Sequence, residues 1–126
     1  MTAGPVEPLR SLPDRVPITI GAIGHRDLVA DEVPRIEQQV RDIVAHYRQA
    51  YPHTPIVFLS SLAEGADQVS ARTALTIDGV DLVALLPMRL DEYEADFTDP
   101  SVLTEFRALL ARAHRMATVD EIAPRD

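Results

Sequence analysis

The sequence predicts an α/β fold, a Rossmann-like three-layer sandwich built on a parallel sheet of three or four strands. Three observations carry that expectation. Short β-branched apolar runs recur at ITIGAI (18–23), IVFLS (56–60) and DLVALLP (81–87). A stretch with helical apolar spacing follows each run, and the connections are short, as in right-handed βαβ units. The 126 residues suffice for one domain with a modest core, although an α/β sheet usually needs a longer chain to be complete.

The elements follow in order. Residues 1–16 hold Pro5, Pro8 and Pro13 without periodicity and read as a loose N-terminal arm, with the domain proper at 17–126. The run 18–23 is apolar at nearly every position, as in a strand buried on both faces, and Gly24 closes it. From Asp31 to Tyr51, the residues Val33, Ile36, Val40, Ile43, Val44, Tyr47 and Tyr51 are spaced by threes and fours and form one helical stripe. Pro34 suits its first turn, where a missing N–H costs nothing. YPHTP (51–55) ends the helix, because prolines and the residues before them resist α geometry.

The second strand, 56–60, leads to a helix over about 64–78 with Ala66, Val69, Thr73, Ala74 and Ile77 on one side, stopped by Gly79. The third strand, 81–87, ends at Pro87. DEYEADFTD (91–99) reads as an acidic, solvated connector, since its carboxylates lack the spacing of a calcium loop. Asp99-Pro100 supplies an N-cap and a first-turn proline for a third helix that buries Val102, Leu103, Phe106, Leu109, Leu110 and Ala113. A fourth strand is expected at 116–119.

Composition excludes several chemistries. There is no cysteine, so disulfides, thiolate metal sites and cysteine nucleophiles are absent. All twelve basic residues are arginine, which removes Schiff-base lysines and the P-loop lysine. A formal net charge of −8 disfavours extended nucleic acid. The four histidines, His25, His46, His53 and His114, show no metal-binding spacing, and no metal or cofactor is expected; His46, His53 and His114 are read as solvent-facing. No apolar run approaches the roughly 20 residues of a membrane span, no signal-peptide centre is visible, and the default location is the cytoplasm.

In parallel sheets, ligands bind at the carboxyl ends of strands, where helix N-termini present unpaired N–H groups. Gly24-His25-Arg26-Asp27, Ser60 to Asp67 and Pro87 to Phe97 all fall there and should share one rim. Gly24 lets a backbone approach an anion, and Arg26 can grip one bidentately; the alternative is a strand-ending glycine beside an arginine paired to an acid. Ser60 and Ser61 can cap a helix or hold a phosphate oxygen, and Gly65 keeps the turn free of bulk. Glu64 and Asp67 can complement the helix dipole, accept from a ribose hydroxyl or act as a base. Tyr93 and Phe97 can stack on a base or pack in the core.

Together the GHRD turn, the S-S-L-A-E-G-A-D turn and L-L-P followed by D-E-Y-E-A-D-F resemble the SLOG superfamily. This Rossmann-like group joins DNA-processing protein A to the LONELY GUY phosphoribohydrolases, and the motifs look like a bacterial branch that accompanies nucleotide-dependent stress and defence systems. The likeness spans about 18–110. It implies a module that binds a nucleotide or nucleotide-derived ligand, sensory or regulatory rather than catalytic. By position, Gly24, His25 and Arg26 would line the phosphate end; Ser60, Ser61, Glu64, Gly65 and Asp67 would hold phosphate or ribose; Pro87, Tyr93 and Asp96 would close the side. An alternative is hydrolysis of a nucleotide's N-glycosidic bond, as in the phosphoribohydrolases, with Glu64 and Asp67 as the catalytic candidates; another is single-stranded DNA binding. The phosphoribohydrolase P-G-G-x-G-T-x-x-E turn has no counterpart here, and the chain looks like the N-terminal half of such a domain. It is expected to form a homo-oligomer or to associate with a missing C-terminal half.

Overall fold

The alternating strands and helices assemble as the apolar pattern dictates. The computed structural model of the protein describes residues 16–119, apart from 23 and 25. Four strands, β1 (Ile18–Gly21), β2 (Ile56–Ser60), β3 (Val80–Leu86) and β4 (Arg115–Thr118), form one sheet in the order β1-β2-β3-β4. All three pairings are parallel, with Ile18 opposite Ile56, Ile56 opposite Val80, and Val83 opposite Arg115. The architecture is α/β with a four-stranded parallel sheet, the Rossmann-like class that the sequence predicts.

Four helices connect the strands: α1 (Glu32–Ala50), α2 (Ala66–Ala74), α3 (Leu90–Ala95) and α4 (Pro100–Ala111). They lie on one face of the sheet. Side chains alternate along a strand, and it is Ile56, Phe58, Val80, Leu82, Ala84 and Leu86 that join Val44 of α1, Ala71 and Ala74 of α2, and Phe106 and Leu109 of α4 in one core. Phe58, Leu82, Leu86 and Phe106 are each no more than 1% exposed, and burying one such side chain contributes about 1.5–3 kcal/mol. The alternate set, Val57, Leu59, Val83, Leu85 and Ala117, is only half-buried. The sequence pattern points to helices on both faces; among the described residues only one helical layer is present.

Other boundaries differ from expectation for local reasons. β1 pairs only as far as Gly21, and residue 23 lies outside the described residues. In α1, Val40 and Val44 are buried, whereas Ile43, Tyr47 and the terminating Tyr51 from the same stripe are exposed, because among the described residues no element covers the side of the helix beyond β1. Helix α2 begins at Ala66 rather than 64 and ends at Ala74 rather than 78. Gly79, at φ 80, makes the turn into β3, and Arg48 of α1 closes it by donating to the Asp78 carbonyl at 2.8 Å.

The acidic connector is not a loop throughout. Residues 90–95 form α3, held by burial of Tyr93 and by Arg107 of α4, which grips Glu94 through Nε and an Nη at 3.0 and 3.1 Å. That hydrogen bond holds the Glu94 carboxyl below its ordinary value. Asp99 caps α4 as expected, accepting from the Ser101 N–H at 2.8 Å. β4 runs one residue ahead of its expected position.

Candidate ligand-binding rim

The carboxyl ends of β1, β2 and β3 carry the three segments singled out by the sequence. The β2–α2 turn is the most constructed of them. Leu62 adopts φ 58, a left-handed conformation rare for a side-chain-bearing residue and costing roughly 1–2 kcal/mol. Its side chain is fully buried, which offsets that cost. Gly65, at φ 90 and ψ −128, stands where a Cβ is poorly tolerated and serves as the N-cap of α2.

Ser60 and Ser61 are not helix caps. Ser60 Oγ accepts from the Leu62 N–H at 3.0 Å, closing a serine turn. Ser61 Oγ donates to Asp67 Oδ2 at 3.2 Å. Gln68 braces the turn from within, its amide nitrogen donating to the Leu62 and Val102 carbonyls at 3.2 Å each. Tyr93 braces it from α3, its hydroxyl donating to the Ser61 carbonyl at 3.0 Å. The Tyr93 ring packs edge-on against Phe97 and Phe106 at centroid distances of 5.2 and 5.4 Å. Of the two uses open to this aromatic pair, stacking on a base or packing, packing is the one observed.

Asp67 is the electrostatic centre of the rim. Burial pushes its carboxyl above the ordinary 3.8, opposed by the hydrogen bonds from Ser61 and from the Ala63 backbone. Burial likewise raises the Tyr93 hydroxyl, and the Asp67 charge adds to the effect; Arg26 acts in the opposite sense and Asp96 raises it further. Arg26, Asp67 and Asp96, drawn from three separate segments, therefore all act on the Tyr93 hydroxyl through space.

The β1–α1 connection touches this assembly at Gly24. A Cβ there would overlap the Ala66 side chain, so the glycine allows the connection to lie against the first turn of α2. Arg26 and Asp27 are exposed, and His25 lies outside the described residues. Glu64 is half-buried, while Pro87 and Asp96 are exposed at the margin. His46, His53 and His114 are exposed.

An open depression of about 340 Å³ lies across the strand ends, lined by Gly21, Ala22, Leu59, Ser60, Ser61 and Leu85. Leu59 and Leu85 belong to the uncovered face and give it an apolar floor, while Gly21 leaves one side without a side chain. Period-two counting puts both leucines on the face opposite Phe58 and Ala84, but the sequence does not mark that face as the uncovered one. Gln68 carries no sequence signal of its bracing role, because both of its carbonyl partners lie in other segments. The described strands follow their sequence order without reversal, so no switch-point crevice forms among them and the depression spans adjacent strand ends instead.

What the arrangement offers is an apolar floor, hydroxyls, one arginine and a partly desolvated carboxyl. Among the described residues, no group of three or more histidine or acidic side chains could hold a metal ion, and no helix is long and apolar enough to cross a membrane. No family model and no curated protein matches the sequence.

Proposed function

We propose that this rim binds a nucleotide or nucleotide-derived ligand and serves as a sensory or regulatory module. The observation that supports this most directly is the depression itself, which sets an apolar floor of Leu59 and Leu85 beside the Ser60–Asp67 turn. A base would lie on that floor. Phosphate would meet Arg26 and the first turn of α2, where backbone N–H groups and the helix dipole favour an anion. A ribose hydroxyl would donate to Asp67, one of whose oxygens is already engaged by Ser61. The resemblance of the three motifs to the SLOG superfamily supports the same reading, and a net charge of −8 favours a small ligand over nucleic acid.

Isothermal titration against AMP, ADP-ribose, NAD and cyclic dinucleotides tests this. One member should bind, and Arg26→Ala should weaken it by about tenfold or more, the loss of one charge-assisted contact. Absence of heat with every member of the panel would overturn the proposal.

The raised Asp67 carboxyl favours a second reading, hydrolysis of an N-glycosidic bond with Asp67 as a proton donor. Free base released from nucleoside monophosphates, and lost in Asp67→Asn while binding persists, would support it. An inert protein that binds the ligand would leave the sensor reading alone.

A further inference from the structure

The outer side of β1 is built for strand pairing. β1 is an edge strand among the described residues, and its inward groups are identifiable because the Ile18 N–H donates to the Pro55 carbonyl at 2.9 Å. The N–H and C=O of one residue point the same way and alternate along a strand. Ile18 and Ile20 therefore serve β2, while Thr19 and Gly21 present their backbone groups outward. Both are exposed, and both have side chains small enough for close approach.

Helix α1 continues this surface. Gln39, Ile43 and Tyr47, spaced by four, form an exposed row that turns about 40° round the helix at each step, and Tyr51, which ends the helix, is exposed beyond it. Ile43, Tyr47 and Tyr51 are 45%, 37% and 54% exposed, a concentration of apolar surface that water-facing helices seldom carry. The row stands over the outer side of β1. Tyr47 and Tyr51 line a hollow with Ile18, and Arg35, Gln39 and Ile43 line a groove of about 290 Å³ with Ile20 and Gly21. From Ile18 to Ile20 the strand rises about 6.6 Å, which equals four to five residues of helix at about 1.5 Å each. That step leads from the tyrosines to Ile43, so Ile20 and Ile43 stand at the same height.

This surface complements itself. A two-fold axis through Ile20 sets Thr19 of one copy opposite Gly21 of the other, so that each pair exchanges two backbone hydrogen bonds in an antiparallel ladder. The same axis lays the helical rows side by side in opposite directions. Ile43 then lies near the axis and meets Ile43 of the second copy. The arm ahead of β1 is a poor alternative occupant, because Pro5, Pro8 and Pro13 leave it no proline-free run longer than four residues.

We propose that the chain forms a two-fold dimer through β1 and the exposed row of α1, joining two four-stranded sheets into one continuous sheet. Sedimentation of the 126-residue chain from about 1 to 100 μM, the range of moderate affinities, tests it. The mass should move from 13.9 kDa toward twice that value. Ile43→Arg sets like charges together on the axis, and Thr19→Pro removes an outward N–H at an edge position, where a sheet tolerates proline. Each should weaken association by about tenfold or more, whereas Met116→Arg at the β4 edge should change nothing. Circular dichroism would confirm that the variants fold.

A monomer at every concentration, or a dimer indifferent to both substitutions, would overturn the proposal; indifference would direct attention to the uncovered sheet face or to a further segment of chain. Should either variant fail to fold, amide exchange in the unsubstituted protein decides. Protection of Thr19 and Gly21 that rises with concentration supports the dimer, and concentration-independent exchange refutes it.

Discussion

The two walls of the rim are made in opposite ways. The β2–α2 turn is tied to three helices: Asp67 and Gln68 of α2 reach back to it, Tyr93 of α3 props it, and Gln68 links it to Val102 of α4. The β1–α1 connection rests on α2 at Gly24, its Arg26 and Asp27 are exposed, and its Val29 N–H meets the Glu32 carboxylate. One wall is braced by side chains from three helices, and the described residues of the other carry fewer such ties. Under the proposed function, the braced wall would offer a ligand preorganised partners.

Substitutions should separate the walls, beginning with the braced one. Leu62→Ala removes a fully buried side chain while keeping the left-handed backbone, and should lower unfolding free energy by about 2–5 kcal/mol in urea titrations. Gly24→Val forces the connection away from Ala66. It should cost about 1–3 kcal/mol and reduce ligand affinity more than any change of similar cost in α4. Tyr93→Phe keeps the aromatic packing and loses only the strut to the Ser61 carbonyl, about 1 kcal/mol, with faster amide exchange around Ser61. Arg26→Ala should stay within about 0.5 kcal/mol of the parent in stability, so its loss of binding would belong to the site alone. If Arg26→Ala destabilises as much as Tyr93→Phe, the contrast between the walls is wrong.

Acidity provides a gentler probe. Because the folded-state pKa of Asp67 is raised, its protonated form is the one that folding favours. Its contribution is fully present below the unfolded value and is lost as pH rises through the folded value. Urea midpoints of Asp67→Asn should therefore gain on the parent as pH climbs from 3.8. Asp99 and Glu94, whose carboxyls are lowered, should behave in the opposite sense, losing their contribution as pH falls.

Strands and most helices were legible because their determinants are local. The β-branched runs, the cap at Asp99 and the stripe through Phe106 and Leu109 need no knowledge of the rest of the chain. The short helix α3 escaped notice because its charged residues mask two tertiary anchors, Tyr93 in the core and Glu94 on Arg107. The one-sided layering was illegible for a different reason: Val57, Leu59, Val83 and Leu85 are as apolar as the residues that alternate with them, so composition does not say which face is covered. At the rim, residue types pointed to segments that the fold brings to the strand ends, and left Ser61 two uses, capping the helix or holding a phosphate oxygen. The folded turn instead sets its hydroxyl on the Asp67 carboxylate, a partner that only the tertiary structure reveals.

The sequential strand order has a bearing on how the protein is born. Each new strand and helix docks beside the one just completed, so most pairings close over a few tens of residues of chain. During synthesis, every unit leaving the ribosome finds its template already waiting. Such a molecule can grow by accretion, with little need to hold distant segments unstructured until the last residue emerges.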